Sequence, residues 1–168
     1  MDDSVCEVVL IGVDQTALQA MYDHPAGAKK GVLLLHPKGS SRHDRTLRRL
    51  QIRMAEGGLA VLLPDLVDED EGWHNFGSAE FFLHRAEAVL QWWLQRQPEL
   101  SVVAIAPGYD APLAQQLLTH PQLEAVVLEA DGGFWRIDRH TKTPLERLTP
   151  EALCLALKDA VGANLGTK

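Results

Sequence analysis

Four short apolar runs recur along the chain, and the segments between them have helical periodicity. The runs occupy residues 31–35, 59–64, 101–106 and 124–130. Runs of this length that are almost continuously apolar are typical of parallel strands covered on both faces. Apolar residues spaced by three and four predict helices over residues 41–56, 78–97 and 111–118. Strand alternating with helix predicts a parallel sheet joined by right-handed crossovers.

The two ends of the chain differ from this alternating pattern. Residues 6–13 and 16–23 are β-rich and only two residues separate them, which predicts an antiparallel hairpin at the start of the sheet. Residues 132–148 are polar and turn-rich. The segment after them begins with a capping Thr149 and with Pro150 at the first helical position. We therefore expect one closing helix, with no further strand after it.

These patterns predict one α/β domain over residues 1–168, with a core at 1–133 and a tail with its helix at 134–168. The expected fold is a three-layer α/β/α sandwich. Its mostly parallel sheet contains four parallel strands plus the N-terminal antiparallel hairpin. A chain of 168 residues, of which 46% are hydrophobic, is long and apolar enough to bury one core of this kind.

The composition limits the partners of the chain. A formal net charge of -7 argues against nucleic-acid binding, because phosphate contacts need a basic surface, so we expect a small-molecule ligand or a protein partner. The two cysteines, Cys6 and Cys154, lack metal-site spacing and suit a reducing compartment. The N-terminus is acidic, and no apolar run is long enough to span a bilayer. We therefore expect a soluble cytoplasmic protein that needs no metal or cofactor.

Three loops follow the carboxyl ends of the predicted parallel strands, where ligands bind in open α/β sheets. The first, residues 36–45, contains a Gly-Ser-Ser turn whose free N–H groups suit an anion or an oxyanion. The alternative is that Ser40 and Ser41 cap the following helix. The arginines of this region either reach an anionic partner or form a solvated helix face. They are Arg42, Arg45, Arg48, Arg49 and Arg53.

The second loop, residues 65–77, is acidic and also contains Trp73 and His74. Its carboxylate spacing does not match a calcium loop. We interpret it as a solvated loop, with a lid over the strand ends as the alternative. Zinc binding by His36, His43 and His74 is a further alternative, although their spacing matches no zinc motif.

The third loop follows the run at 101–106 and leads into the helix at 111–118. Two further motifs accompany this loop: His-Pro-x-Gly-Ser-Ser follows the first parallel strand, and Leu-Leu-Pro-Asp-Leu stands at the end of the second. Together with the loop, they make the chain resemble the α/β-hydrolase superfamily. Within that superfamily the chain is most similar to the small dienelactone-hydrolase-like esterases, over roughly residues 5–133. The resemblance implies a nucleophile elbow, Gly-x-Ser-x-Gly, at residues 106–110.

The elbow departs from the family pattern. It reads Ala-Pro-Gly-Tyr-Asp, with Gly108 where the resemblance places the serine and Asp110 where it places the second glycine. Glycine has no side chain with which to attack a substrate. The resemblance places the acid and the general-base histidine after two further strands, beyond the end of this chain. Because the three residues act as a unit, serine-type hydrolysis is not expected.

Two other residues at the bend offer a different chemistry. Tyr109 or Asp110 could act as the nucleophile, with a histidine of the first two crossovers, His36 among them, as the base. The alternative for Asp110 is a helix N-cap, since Pro112 follows it in the first helical turn. The sequence therefore supplies candidates for an atypical hydrolase and also a simpler structural explanation for the same residues.

The sheet order of the family implies that the four parallel strands run second-first-third-fourth. The crevice between the loops at His36 and Pro107 is then the expected binding site. Its residues are His36, Lys38, Gly39, Ser40, Ser41, Pro107, Gly108, Tyr109 and Asp110. We interpret the chain as a non-catalytic relative that acts as a binding or regulatory module. The alternatives are an atypical hydrolase and a flavodoxin-like protein that binds a phosphorylated ligand at the Gly-Ser-Ser turn.

The resemblance also bears on assembly. With no seventh strand, the run at 124–130 would have unpaired backbone groups at the edge of the sheet. Either the tail around Phe134 and Trp135 covers this edge together with the final helix, or a second copy of the protein does. We expect a homodimer that forms through this last strand or through the C-terminal helix.

Overall fold

The structure is a computed structural model, and it describes residues 6–37, 40–67, 79–109, 111–130, 133–140 and 142–145. The four apolar runs of the sequence form four strands, as expected. The elements in chain order are β1 (Cys6–Val13), β2 (Thr16–Asp23), β3 (Lys30–Leu34), α1 (Arg45–Glu56), β4 (Ala60–Pro64), α2 (Ala79–Arg96), β5 (Ser101–Pro107), α3 (Ala111–Leu117), β6 (Leu123–Ala130), β7 (Gly133–Ile137) and β8 (Lys142–Leu145).

The strands form one sheet in the order β1-β2-β4-β3-β5-β6-β7-β8. The pairs β3 with β4, β3 with β5 and β5 with β6 are parallel, so the central strands run second-first-third-fourth, as expected. β1 and β2 form the predicted hairpin, and β2 pairs antiparallel with β4. The sheet is therefore mixed, with four parallel strands at its centre and antiparallel strands on both sides.

The expectation of no further strand after β6 was wrong. β7 pairs antiparallel with β6, and β8 pairs antiparallel with β7. Phe134, Trp135 and Ile137 are residues that favour strands, and they occupy positions where the unpaired backbone groups of β6 need partners. Because β7 pairs with the backbone groups at the edge of β6, this edge gives no reason to expect a second copy of the protein there. The predicted closing helix from Pro150 lies outside the described residues.

Helices cover both faces of the sheet, which gives the three expected layers. On one face α2 and α3 pack through a core that includes Phe82 and Leu117. On the other face α1 packs through Leu50 and Met54. Each core is apolar and almost fully closed to solvent, so burial of these side chains supplies the main driving force for folding.

Trp93 of α2 fixes how closely that helix approaches the sheet. Its side chain is fully buried, and its indole Nε1 donates a hydrogen bond of 3.1 Å to the hydroxyl of Tyr22. A Cβ at Gly31 would lie 2.8 Å from Cη2 of Trp93. Glycine at this position in β3 therefore makes room for the largest side chain of the core.

Helix α1 begins four residues later than expected. Asp44 is its N-cap, because the Asp44 carboxylate accepts a hydrogen bond of 3.1 Å from the Leu47 N–H. Ser41 lies in the turn before the cap, where its hydroxyl accepts from the His43 N–H at 3.1 Å. The alternative in which Ser40 and Ser41 cap the helix is therefore wrong, since the Asp44 carboxylate fills that role.

The other two helices end within about one residue of their predicted bounds. α2 is the longest helix among the described residues, and it carries charged residues at both ends. None of the described helices combines the length and the apolar character that crossing a membrane requires.

Candidate functional site

The candidate site lies at the carboxyl edge of the four parallel strands. His36 follows β3, Asp65 follows β4 and Gly108 follows β5. β3 pairs directly with both β4 and β5, so the three loops begin side by side. The topology therefore brings together the loops that the sequence pattern indicated, at the edge where ligands bind in open α/β sheets.

Gly108 forms the bend after β5 in a left-handed backbone conformation. Its φ is 86°, and the next N–H, of Tyr109, donates to the Ala106 carbonyl at 3.3 Å. A Cβ at Gly108 would lie 2.9 Å from Cβ of Pro37. The bend thus has the sharp geometry of a nucleophile elbow, but the space next to its apex is already filled by a neighbouring proline.

His36 is buried, with 1% of its surface exposed, and both of its ring nitrogens have partners. Nε2 accepts a hydrogen bond of 2.9 Å from the Leu66 N–H. Nδ1 therefore carries the proton in the neutral ring and donates to the Pro37 carbonyl at 2.9 Å. Burial lowers the pKa of His36 and keeps the ring neutral. This histidine joins the loops after β3 and β4, and neither nitrogen is open to a substrate.

Tyr109 is held in a similar way. Its hydroxyl donates a hydrogen bond of 2.8 Å to the carbonyl oxygen of His36. Its ring packs edge to face against Phe82, with 6.3 Å between ring centroids. Burial raises the pKa of Tyr109, so the phenolate that a nucleophile would require is strongly disfavoured. Tyr109 therefore ties the β5 loop to the β3 loop.

The polar residues of the first loop pair with one another. The Ser40 hydroxyl donates to the Asp44 carboxylate at 3.1 Å. The Arg42 N–H donates to Asp65 at 2.7 Å, and its guanidinium contacts the other oxygen of the same carboxylate. Asp44 also places a negative charge at the start of α1, where a bound anion would otherwise be favoured. These contacts disfavour an anion at this turn.

The other arginines lie on the outer surface of α1. They line a shallow groove of about 860 Å³. The residues of this groove are His43, Arg45, Arg48, Arg49, Ile52, Arg53 and Glu56. Arg48 turns back along the helix and contacts the side chain of Gln51. The run of arginines is thus mainly a helix face away from the strand ends, as one of the two sequence interpretations held.

A network at the same edge of the sheet was missed by sequence reasoning. Asp14, in the β1–β2 turn, contacts His84 Nε2 at 3.0 Å and accepts from Arg85 Nε at 3.1 Å. Arg85 also donates to the Leu66 carbonyl at 3.2 Å, although its side chain is almost fully buried. The hydrogen bond from His84 keeps the pKa of Asp14 below its usual range. The sequence could have indicated this network through the positions of the predicted elements, because the hairpin turn and the start of α2 both lie at this edge of the sheet.

A second groove runs along the outer side of α3. It has a volume of about 450 Å³ and is lined by Ala111, Gln115, Leu118, Thr119, Ile137, Asp138, Arg139 and His140. One wall is the face of α3 and the other follows the end of β7. Because β7 was not expected, this groove was not predicted from the sequence.

Several predicted site residues fall outside the described residues: Lys38, Gly39, His74 and Asp110. The roles suggested for them therefore stay predictions, as does the lid at 65–77, which is described only as far as Val67. Within the described ranges, no three histidine, cysteine or acidic side chains cluster closely enough to hold a metal ion.

The strand order, the two helical layers and the bend at Gly108 define an α/β-hydrolase fold. Solved structures with this fold include a dienelactone hydrolase from Anabaena variabilis, which is 23% identical with a TM-score of 0.66 over 74% of this chain and 62% of that one. An esterase from Pyrococcus furiosus is 20% identical with a TM-score of 0.55 over 70% of this chain and 47% of its own.

A cold-adapted esterase from an Arctic intertidal metagenomic library is 13% identical, with a TM-score of 0.57 over 78% of this chain and 64% of that one. The chain thus spans less than two thirds of the length of each of these proteins. No protein-family model matches the sequence, and no curated protein matches it significantly. At these identities the similarity shows the fold alone.

Proposed function

We propose that this chain is a non-catalytic member of the α/β-hydrolase fold that acts as a binding or regulatory module. The observation that carries the proposal is the geometry at Gly108. The residue at the apex of the bend has no side chain, and Pro37 fills the space beside it. A fold of this kind needs a nucleophile at this apex to form an acyl-enzyme intermediate.

The surrounding hydrogen bonds support the same proposal. Both ring nitrogens of His36, the candidate base, form hydrogen bonds within the fold. The hydroxyl of Tyr109 donates its hydrogen bond to the carbonyl oxygen of His36. A histidine that acts as a general base must have a free ring nitrogen within reach of the proton that it removes. These two side chains therefore serve to hold the three loops together, which suits a rigid binding surface.

The proposed ligand site is the crevice between the loops after β3 and β5, and its ligand is a small molecule. Ser40, Ser41 and Pro107 are partly exposed there, and Gly108 is exposed. The proteins of similar fold include a dienelactone hydrolase and two esterases. Esters and lactones are therefore the first compounds to test, as ligands that are bound and left intact. A cytoplasmic location remains part of this proposal.

The test has two parts. The purified chain is first treated with a fluorophosphonate probe and with a panel of aryl esters and lactones; we expect no labelling and no turnover above the uncatalysed rate. Saturable labelling together with turnover would contradict the proposal. The same compounds are then titrated while amide NMR signals are recorded. Shifts at Ser40, Ser41 and Tyr109 without turnover support binding in the crevice, whereas shifts confined to the groove beside α3 would place the ligand elsewhere.

The atypical-hydrolase alternative is tested by two substitutions at the bend. If turnover is found, Asp110→Asn abolishes it in a mechanism that uses an aspartate nucleophile, with little change in melting temperature. Tyr109→Phe serves as the matched variant, since it removes the only hydroxyl at the bend. Loss of stability in Asp110→Ala but not in Asp110→Asn, with no activity in any variant, instead identifies Asp110 as a helix cap, because asparagine caps a helix about as well as aspartate.

A further inference from the structure

The two outer strands of the described sheet differ in how well they resist pairing with another chain. The described part of β8 is four residues long, and Lys142 and Pro144 are among them. Short length, lysine and proline are the features that natural proteins use to block an exposed edge. β1 has eight residues, with neither proline nor lysine and with Glu7 as its single charged residue. Among the described residues, nothing pairs with the outer edge of β1, and this strand lacks those protective features.

The backbone groups of β1 that face outward can be identified from its partner strand. Gln19 lies opposite Leu10, and the Gln19 carbonyl accepts a hydrogen bond of 2.8 Å from the Asp65 N–H. Gln19 therefore points away from β1, and in an antiparallel pair its partner Leu10 points away from β2 as well. Because the pattern alternates, Val8 and Gly12 also direct their N–H and C=O groups to the outer edge.

The same residues expose apolar side chains. Leu10 is 62% exposed and Val8 is 55% exposed. They are two of the three large apolar side chains that are exposed in the described part of the chain, and the third is Ile52 on α1. The alternate residue Ile11 is fully buried against the core on the α2 side. The outer edge of β1 thus combines unpaired backbone groups with a small apolar surface.

We propose that β1 pairs with β1 of a second copy of this chain, in antiparallel orientation about a twofold axis. With Val9 at the axis, the outward-facing Val8 lies opposite Leu10 of the partner subunit, so apolar side chains meet across the interface. Glu7 lies opposite Ile11 of the partner subunit. The only charged residue of the strand therefore never faces its own copy, and the strand is compatible with itself as a partner.

This interface differs from the one that the sequence suggested, because the edge of β6 is occupied by β7. Main-chain hydrogen bonds between the two β1 strands supply most of its affinity, as in other cases of strand addition. One pair of strands buries less surface than a standard interface of about 1,600 Å², so we expect reversible association in the micromolar range. The proposal does not depend on the proposed binding function.

Sedimentation velocity tests the proposal. From about 1 μM to about 100 μM, a range that covers association of this strength, we expect the mass to rise from 18.5 kDa to twice that value. Leu10→Pro removes an outward N–H without removing a hydrogen bond to β2, and it should weaken association at least about tenfold. The double variant Val8→Lys with Leu10→Lys should do the same. Ile52→Lys, at the third exposed apolar site, is the control and should associate like the parent.

Hydrogen exchange gives a second reading that does not depend on substitutions. Association through β1 should slow exchange at the amides of Val8 and Leu10 as concentration rises, while the Val9 amide, bonded to β2, stays protected throughout. A parent protein that is monomeric at every concentration would overturn the proposal. A dimer that both β1 variants retain, or one in which the Leu10 amide stays unprotected, would also overturn it.

Discussion

The Cβ of Pro37 lies 2.9 Å from the point that a Cβ on Gly108 would occupy. The two residues belong to different loops, one after β3 and one after β5. Their closeness means that the absence of a nucleophile involves more than a single missing hydroxymethyl group. The loop after β3 leaves room for a glycine but not for a Cβ at position 108. A serine at this position would therefore require that loop to move.

Replacing Gly108 by alanine should destabilise the protein more than the same change at Gly58. Both glycines have positive φ, 86° at Gly108 and 92° at Gly58, so both variants lose about 1 kcal/mol through backbone strain. Only Gly108 has a neighbour in the way, which should add about 1–3 kcal/mol. Nothing lies within 4 Å of a Cβ at Gly58. Urea denaturation measures both values, and equal losses would show that Pro37 moves away at little cost.

Gly108→Ser tests the same close contact with Pro37, and it also allows reactivity to be measured. We expect it to be destabilised like the alanine variant and to remain inactive towards esters. His36 could not act as the base for its hydroxyl, since both ring nitrogens of His36 are engaged. The fluorophosphonate probe checks this directly. Labelling of the serine variant at a rate typical of serine esterases would show that a base is available nearby.

Gly31→Ala should lower stability by about 1–3 kcal/mol, because its Cβ would overlap the ring of buried Trp93 at 2.8 Å. The control is Gly12→Ala, also in a strand, where no atom lies within 4 Å of the added Cβ. That variant should be neutral or slightly more stable, since alanine restricts the unfolded chain. Denaturation followed by tryptophan fluorescence measures both. Equal effects at the two sites would contradict close packing of Trp93 on β3.

Stability should fall as the pH decreases through the ordinary range of histidine, and His36 should account for part of that fall. Burial lowers the pKa of His36 in the folded state, whereas in the unfolded chain it titrates at about 6.5. Below that pH the unfolded state binds more protons than the folded state, so it is stabilised relative to the folded state and the free energy of unfolding falls. The loss continues until the pH reaches the lowered pKa, and its slope is at most about 1.4 kcal/mol per pH unit.

The contribution of His36 is isolated by comparing slopes. His36→Gln should reduce the dependence of unfolding free energy on pH between about 7 and about 5, even though its stability at neutral pH is lower. The Asp44 and Asp65 carboxylates partly oppose the shift and remain in the variant. Chemical denaturation at several pH values gives both slopes. Parallel curves for the two proteins would show that His36 titrates normally.

Arg85→Met should cost about 1–3 kcal/mol, because it removes a buried hydrogen bond to the Leu66 carbonyl and a partly exposed one to Asp14. Arg96→Met is the control on the same helix. Arg85 stacks on the ring of Phe81 at 4.5 Å, and Arg96 stacks on the ring of Trp92 at 4.4 Å. Arg96 is exposed, so its loss should be small. Thermal denaturation compares the two, and hydrogen exchange should quicken near Leu66 only in the Arg85 variant. Similar losses for both would rule out a special role for Arg85.

Much of the fold follows from local patterns in the sequence. β3 and β5 are apolar on both faces because helices cover both sides, and that leaves a continuous run that is easy to recognise. β7 has no such run, since four of its five residues are only half-buried. Its existence depends on the open edge of β6, which is a property of the whole sheet. A local pattern could not show it.

The candidate site was predictable in position but not in detail. The loops that hold His36 and Gly108 follow apolar strands, and sheet topology then places them together. Whether His36 is a free base depends on Leu66, thirty positions away in the chain. The contact between Asp14 and Arg85 spans an even larger separation. Such partners are set by the packing of complete elements, which no spacing rule describes.

The anchoring of Leu66 has a consequence for how this protein could change over time. Its N–H is held by His36 and its carbonyl by Arg85, so the chain leaves β4 along a fixed path. Substitution of either residue leaves one buried backbone group of Leu66 without its partner, so both positions should resist change. The same two positions offer an engineer a direct way to alter the path of the chain after β4.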